Sequence, residues 1–181
     1  MKSTVLVPAG MIFLLGLFVS CEKKQEVKDV MYTGPISESF DIRMVYSDSG
    51  RKVIRMETPV QRDLLNGDKV FPKEMKLFFY DRNGTEHTWL RADSARKINM
   101  QNLWHVMGHV RIENRLKQEV LETNELFWNP DTKRIYTDGD VTSRTPTGVT
   151  HGTGLVANQD FTKYGLGKVR NSQMQVENLP E

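Results

Sequence analysis

The sequence has almost no cysteine. Cys21 is the only one among 181 residues, so the fold contains no internal disulfide. Charge of one sign is not in excess either, because 25 Lys and Arg stand against 23 Asp and Glu, for a formal net charge of +2. Nucleic-acid binding relies on a basic excess or a basic stripe. The composition therefore gives no support to a nucleic-acid partner.

Long helical segments are also missing. No stretch of a dozen residues carries an apolar face at helical spacing, and Pro130 and Pro146 fall between runs of alternating polarity. The chain is long enough for one domain and not comfortably long enough for two. These features predict a single domain that is nearly all β, built from many short antiparallel strands.

Motifs for catalysis and for metal binding are absent as well. His105 and His109 have a spacing that would align two metal ligands on a helix but not on strands. Asp138-Gly139-Asp140 lacks the acidic ligands that follow in a calcium loop. No nucleophile elbow occurs, and no paired carboxylates indicate a carbohydrate-processing enzyme. We predict a protein that is not an enzyme and that uses no metal and no cofactor.

The first 20 residues have the composition of a signal peptide. Lys2 precedes an apolar run over residues 5–19, which is shorter than the roughly 20 residues of a membrane-spanning helix. The following Leu-Phe-Val-Ser-Cys segment, residues 17–21, resembles the lipobox of bacterial lipoproteins. This resemblance implies that Cys21 is lipidated, since two or more acyl chains give a stable anchor. A plain secretory leader and a retained signal-anchor are the alternatives.

One sequence pattern occurs twice between residues 90 and 141. Four positions recur at a spacing of 31 residues, so that Leu90, Trp104, Gly108 and Val110 are followed by Leu121, Ile135, Gly139 and Val141. A looser third copy includes Leu155 and Gly167. A fixed period in this range indicates a supersecondary unit stacked on itself. We interpret each glycine as a tight turn between a strand centred on Trp104 or Ile135 and the next strand.

Alternating polarity predicts further strands on both sides of the repeats. Residues 40–46 and 52–57 form a predicted hairpin that ends at Thr58-Pro59, and residues 60–65 suggest a helical turn. Asn83-Gly84 predicts a type I′ turn between two strands, because both residues tolerate positive φ. The last strands, over residues 163–176, end in an edge that another protein could extend.

A succession of motifs in order gives the chain its resemblance to a known family. These motifs are Leu77-Phe78-Phe79-Tyr80-Asp81 with Asn83-Gly84, Leu90-Arg91-Ala92-Asp93 with Ala95, Leu103-Trp104 with Gly108-His109-Val110, Leu121-Glu122-Thr123 with Leu126-Phe127-Trp128, Ile135-Tyr136, and Ala157-Asn158-Gln159-Asp160-Phe161-Thr162-Lys163-Tyr164. Over roughly residues 30–176 the chain resembles the LptC family of periplasmic lipopolysaccharide-transport proteins. Many members carry a spanning N-terminal helix where this chain has a lipobox-like segment.

The resemblance implies a fold, a cargo and partners. The implied fold is an open, twisted β-jellyroll related to the OstA/LptA bridge protein, with an apolar groove between the inner faces of a folded sheet. The implied function is to accept lipopolysaccharide from an inner-membrane ABC transporter and to pass it, without chemistry, to a periplasmic LptA-like bridge protein through an edge strand. The N-terminal edge, near residues 40–46, would meet the permease subunits and the C-terminal edge would meet the bridge protein. A lipid-anchored position at the periplasmic face of the inner membrane follows.

Alternation within the strands selects the residues that would line the groove, because every second side chain of a strand points to the interior. The predicted lipid-binding residues are Met75, Leu77, Phe79, Leu90, Ile98, Trp104, Val106, Val110, Ile112, Leu121, Leu126, Trp128, Ile135, Val141, Leu155 and Tyr164. Each of them is more readily explained as sandwich core, although in an open jellyroll the core is also the groove. Trp104 and Trp128 are the better candidates for lipid contact, since their size makes full burial in a thin sandwich difficult.

We therefore divide the chain into a signal peptide (residues 1–20), a lipidated N-terminus and tether (21–38), an LptC-like β-jellyroll (39–176) and a C-terminal tail (177–181). The alternative is a structural or adhesive β-sandwich lipoprotein of the cell envelope that carries no lipid cargo.

Overall fold

The computed structural model describes residues 32–174, which form one 11-stranded antiparallel sheet. The strands are β1 (Pro35–Asp48), β2 (Arg51–Leu64), β3 (Lys69–Phe71), β4 (Met75–Tyr80), β5 (Glu86–Ala92), β6 (Ser94–Ile98), β7 (Leu103–Asn114), β8 (Glu119–Asn129), β9 (Arg134–Thr145), β10 (Gly148–Asn158) and β11 (Tyr164–Met174). A 3-10 turn, Asn99–Gln101, precedes β7. The prediction of an all-β, jellyroll-like fold is confirmed.

The sheet is a meander in which each strand pairs with the next long strand of the chain. Strand β2 pairs with both β3 and β4, and β7 pairs with both β5 and β6. Strands β3 and β4 are therefore two segments of one bent strand, as are β5 and β6. Among the described residues, β1 pairs only with β2 and β11 pairs only with β10. These two strands are the edges of the sheet.

A row of backbone irregularities crosses the whole sheet. Proceeding from β1 to β11, it passes through Asp41, Pro59, Pro72, Asp93, Gly108, Asn124, Gly139, Gly154 and Gly167. Four residues with positive φ lie on it, namely Asp41 (52°), Gly108 (79°), His109 (41°) and Gly154 (82°). An extra residue in one strand of an antiparallel pair bends that strand and increases its twist. Register shifts of this kind in the β7–β8, β8–β9 and β9–β10 pairs bend the sheet along one line.

The fold line divides the sheet into two halves that face each other. The first half-sheet comprises residues 42–57, 75–92, 110–123, 141–153 and 168–174, and the second comprises residues 35–40, 60–71, 94–107, 125–137 and 155–166. Tyr46 of β1 contacts Trp128 of β8, although several strands separate them in the sheet. Phe79 of β4 contacts Phe161, which follows β10. Such contacts are possible only because the sheet is folded.

One apolar core fills the space between the half-sheets. Side chains alternate between buried and exposed along most strands, as in Met75–Tyr80, where Met75, Leu77 and Phe79 are buried and Lys76 is exposed. Burial of this apolar surface is the main stabilising term, at about 25 cal/mol per Å². The interior face of the sheet is therefore determined by the period-two pattern of the sequence.

Three local predictions were wrong. Gly108 and Gly139 lie inside continuous strands, β7 and β9, and mark bulges rather than turns between strands. Residues 60–65 contain no helical turn, because β2 runs past Pro59 to Leu64. Asn83 lacks the positive φ of a type I′ turn, and only Gly84 of the pair has one (81°).

The β4–β5 connection is instead organised by Asp81. Its carboxylate accepts hydrogen bonds from the backbone N–H groups of Asn83 and Thr85 at 2.8 and 2.9 Å. The signal peptide, Cys21 and most of the tether lie outside the described residues, and the first strand begins at Pro35. Within residues 32–174 there is no helix of the length and apolarity needed to cross a membrane.

Candidate functional site

The predicted groove residues lie between the two half-sheets. All of them except Ile98 and Tyr164 are buried members of one hydrophobic cluster. Ile98, at the end of β6, is half-buried but lies outside the cluster, because it is three residues from buried Ala95 and so on the opposite, outer face of the strand. The structure therefore does not place Ile98 on the interior face. Tyr164 packs against the cluster from its edge. The structure thus brings together residues from β4 to β11 that are far apart in the sequence. It places them on one continuous interior surface.

Sequence reasoning missed several interior residues. Ile54, Met56, Phe71, Ala157 and Phe161 belong to the same cluster. Ile54 and Met56 share the alternation of β2, which could have identified them. Phe71 and Phe161 could not have been found in this way, since β3 is only 3 residues long and Phe161 lies in a turn with a φ of 53°.

A row of aromatic side chains occupies the interior of the second half-sheet. The rings of Phe71 and Trp104 stack with centroids 5.4 Å apart, and those of Trp104 and Trp128 stack at 5.8 Å. Tyr46 approaches Trp128 from the first half-sheet in an edge-to-face contact at 6.0 Å. Offset-stacked and edge-to-face contacts at these distances are the favourable geometries for aromatic pairs. The row runs from the deepest part of the core to a solvent-accessible opening.

That opening is a cleft of about 180 Å³ between the half-sheets, which we call the portal. It is lined by Met44, Tyr46, Ile54, Met56, Leu77, Lys97, Asn102, Trp104, Trp128, Pro130 and Asp131. Trp104 and Trp128 retain only 8% and 6% of their exposure, whereas Met44 and Tyr46 retain 38% each. The portal therefore leads from solvent directly onto buried apolar side chains.

The polar groups of the portal stand at its rim. The Nδ2 of Asn102 donates a hydrogen bond to Asp131 Oδ1 at 2.8 Å. The ammonium of Lys97 lies 6.0 Å from the centroid of the Trp104 ring, at the outer limit of a cation–π contact. Lys97 and Trp104 are also direct cross-strand partners in β6 and β7. The portal thus combines an apolar floor with a charged rim.

Polar contacts join the turns on either side of the opening. Lys133, in the β8–β9 turn, forms an ion pair of 2.5 Å with Asp48 at the end of β1. The hydrogen bond from Lys133 lowers the pKa of the Asp48 carboxyl below its usual value and raises the pKa of the lysine. Farther along the same side, Lys117 Nζ donates to the carbonyl of Thr162 at 2.9 Å. These contacts hold the half-sheets together opposite the fold line.

A charged network covers the outside of the fold line. Asp93 accepts from His109 Nδ1 at 2.5 Å and pairs with Arg91 at 3.3 Å, and Arg91 pairs with Glu74 at 2.5 Å. The hydrogen bond from His109 lowers the pKa of Asp93, and the one from Arg91 lowers the pKa of Glu74. His105, by contrast, contacts Glu125 at 2.8 Å. Within the described part of the chain, no group of three His, Cys, Asp or Glu side chains could hold a metal ion.

Both edge strands expose apolar side chains. Along β1 these include Ile36, Phe40 and Val45, with exposed fractions of 58%, 65% and 51%. Val169 of β11 is 59% exposed. A sheet edge with unpaired backbone groups is a site where another strand can add. Strand β1 carries the more apolar of the two edges.

The comparisons with known proteins agree with this architecture. A family model described as "Lipopolysaccharide-assembly, LptC-related" matches residues 5–170. No curated protein matches the chain.

Proposed function

The chain belongs to the LptC-related family of lipopolysaccharide-assembly proteins, and we propose that it carries lipopolysaccharide acyl chains between its two half-sheets. Family membership gives it a role in lipopolysaccharide transport, in the periplasmic part of the envelope near the inner membrane. Proteins of this family transport and bind rather than catalyse.

The observation that carries the proposal is the portal, which connects solvent with the buried apolar interior. A buried methylene is worth about 0.8 kcal/mol, so exposing one C14 acyl chain to water costs on the order of 10 kcal/mol. The predicted lining residues supply the required apolar surface from β4 to β11. Because the folded sheet ends in two edges, a second folded sheet added at either edge would extend this interior.

We assign the two edges to the two partners of a transport chain. The exposed apolar residues of β1 would pair with the permease subunits of an inner-membrane ABC transporter, and β11 would pair with an LptA-like bridge protein. We further propose that Cys21 is lipidated and anchors the chain at the periplasmic face of the inner membrane.

The competing candidate is an envelope protein of structural or adhesive function without lipid cargo. One observation favours it, namely that the interior is filled by its own side chains. The portal volume of about 180 Å³ is smaller than the roughly 300–1,000 Å³ of most small-molecule sites. Lipid entry therefore requires that the half-sheets separate at the portal.

Photocrosslinking in cells distinguishes the two candidates. A photoreactive amino acid replaces Trp104, Val110 or Ile135 on the interior face, or the outward neighbours Arg111 or Arg134 as controls. We expect lipopolysaccharide adducts at the interior positions and none at the controls. Absence of adducts at all interior positions, in a protein that remains folded, would overturn the proposal. A parallel purification with the detergent-solubilised transporter tests the partner assignment.

A further inference from the structure

Within the part of the chain that the structure describes, Lys97 differs from the neighbouring cations in having no carboxylate partner. Its neighbours on the second half-sheet are paired, Arg96 with Asp68 at 2.6 Å and Lys69 with Asp63 at 2.7 Å. Among the described residues, no ion pair includes Lys97. Its ammonium lies over the Trp104 ring instead.

The position of Lys97 on β6 directs its side chain toward the portal. Ala95, two residues earlier, is buried in the core at 1% exposure, and residues two apart on a strand point to the same face. Lys97 is half-buried and lines the portal together with Trp104 and Trp128. A lysine can bury its aliphatic stem against apolar surface while its ammonium stays at the rim. This arrangement leaves one positive charge at the mouth of an apolar cleft.

The other charge in the portal does not neutralise it. Asp131 also lines the cleft, but its carboxylate is exposed and accepts a hydrogen bond from Asn102, and the ion pairs of the described residues do not include one between Asp131 and Lys97. An unpaired cation beside stacked aromatic rings is complementary to an amphiphile with an anionic headgroup. The headgroup meets the ammonium while the hydrocarbon chain enters between Tyr46 and the two tryptophans.

We propose that Lys97 binds a phosphate group of the lipid headgroup and thereby orients the lipid with its acyl chain in the portal. This inference rests on the proposed function, since it assumes that a lipid enters here. It adds a specificity determinant, because a phosphorylated lipid would be preferred over the same lipid without phosphate. A charge-assisted hydrogen bond to an ammonium is roughly twice as strong as a neutral one.

The test measures whether a preference for phosphorylated lipid depends on Lys97. The full chain is titrated with lipid A and with its dephosphorylated form, and binding is followed by tryptophan fluorescence. We expect the phosphorylated form to bind about tenfold more tightly, which corresponds to about 1.4 kcal/mol. Lys97→Gln should abolish this preference and leave the affinity for the dephosphorylated form unchanged, while Lys97→Arg should retain it. Lys76→Gln, on the exposed outer face of β4, is the matched control and should change neither affinity.

The outcomes separate the inference from the proposed function. Equal binding of both lipid forms to the unaltered protein overturns the phosphate contact and leaves lipid carriage intact. If Lys97→Gln loses the same amount of affinity for both lipid forms, Lys97 supports the shape of the portal rather than binding the phosphate, and the contact is also overturned. If neither form binds the unaltered protein, the proposed function fails together with the inference. Competition by inorganic phosphate at equal affinity would identify an anion site that is not specific for a lipid, which is again contrary to the proposal.

Discussion

The carboxylate of Asp93 occupies the space that a side chain on Gly108 would need. A Cβ built on Gly108 would stand 2.7 Å from Asp93 Oδ2 and 2.9 Å from its Cβ. The backbone N–H of Asp93 donates to the Gly108 carbonyl at 2.9 Å, so the two residues are also joined across the strands. Gly108 belongs to the β7 bulge and Asp93 to the break between β5 and β6. At the centre of the fold line, Asp93 therefore packs directly against Gly108 and leaves no room for a side chain there.

Gly108→Ala should destabilise the domain more than an ordinary glycine replacement. A φ of 79° is unfavourable for alanine, at about 1–2 kcal/mol, and the new methyl group must displace Asp93 from His109 and Arg91. We expect a total loss of about 3 kcal/mol in the free energy of unfolding, measured by urea denaturation.

Gly50→Ala is the matched control for that experiment. Gly50 has a similar φ of 74°, but nothing lies within 4 Å of its built Cβ. Its replacement should therefore cost only about 1–2 kcal/mol. Equal losses for the two variants would show that the contact with Asp93 contributes nothing beyond the backbone strain.

Asp68 should give the domain an acid-sensitive component of stability. It is buried at 4% exposure, and the hydrogen bond from the backbone N–H of Asn99, followed by the one from Arg96, lowers its pKa below the usual 3.8. A carboxyl whose folded pKa is depressed stabilises the fold above its unfolded pKa, and this contribution is lost as the pH falls through the folded value. Stability linked to Asp68 is thus complete at neutral pH and declines below about pH 3.8.

Asp68→Asn tests this dependence. At pH 7 the variant should lose about 2 kcal/mol of unfolding free energy, because a charged hydrogen-bonded group is removed from a buried site. The difference between the variant and the unaltered protein should shrink as the pH is lowered below 3.8. Thermal unfolding from pH 7 to pH 2.5 measures it, with Asp41→Asn, at an exposed carboxylate, as the control. A difference that stays constant with pH would contradict the assignment.

The interior could be predicted from the sequence because period-two alternation survives in most strands. Leu77, Val106 and Ile112 are examples in which the pattern alone identified a buried residue. The fold line could not be predicted in the same way. A glycine with positive φ serves a turn and a bulge equally well, so Gly108 was assigned to a turn. Pro59 predicts the end of β2, but the strand continues through it to Leu64, because Pro59 lies between the segment that pairs with β4 and the segment that pairs with β3.

The portal depends on contacts that no local pattern encodes. Tyr46 and Trp128 meet only after the sheet has folded, as do Asp48 and Lys133. Sequence reasoning singled out Trp104 and Trp128 because large rings are hard to bury, and both do line the opening. It did not find Lys97, since a lysine in a strand is usually a solvated residue. The structure distinguishes Lys97 because the neighbouring cations Lys69 and Arg96 form ion pairs and Lys97 does not do so among the described residues.

The ion pair between Asp48 and Lys133 should restrain the opening of the portal. Lys133→Glu replaces an attraction by a repulsion between two turns that flank the Tyr46–Trp128 contact. We expect acrylamide to quench tryptophan fluorescence more strongly in this variant. A hydrophobic fluorescent probe should bind in the portal a few times faster. Both groups are substantially exposed, Lys133 at 60% and Asp48 at 39%, so solvent and salt screen the pair and its effect on the stability of the domain should be small. The effect should accordingly weaken at high salt.

The charge-swapped double variant Asp48→Lys with Lys133→Glu provides the control. It restores an ion pair of opposite polarity and should return both quenching and entry toward the values of the unaltered protein. If the double variant behaves like Lys133→Glu alone, the pair does not control the portal. Contacts other than this ion pair would then restrain the portal.

A charge placed on one edge strand should abolish the binding of that edge's partner and leave the other partner bound. Phe40→Glu places a charge on the most exposed apolar residue of β1, and Val169→Glu does the same on β11. Because both side chains are more than half exposed, at 65% and 59%, neither change should alter thermal stability appreciably. We expect Phe40→Glu to lose co-purification with the transporter and to keep the bridge protein, and Val169→Glu to do the reverse. Each variant is the control for the other, and loss of the same partner in both would contradict the assignment of one partner to each edge.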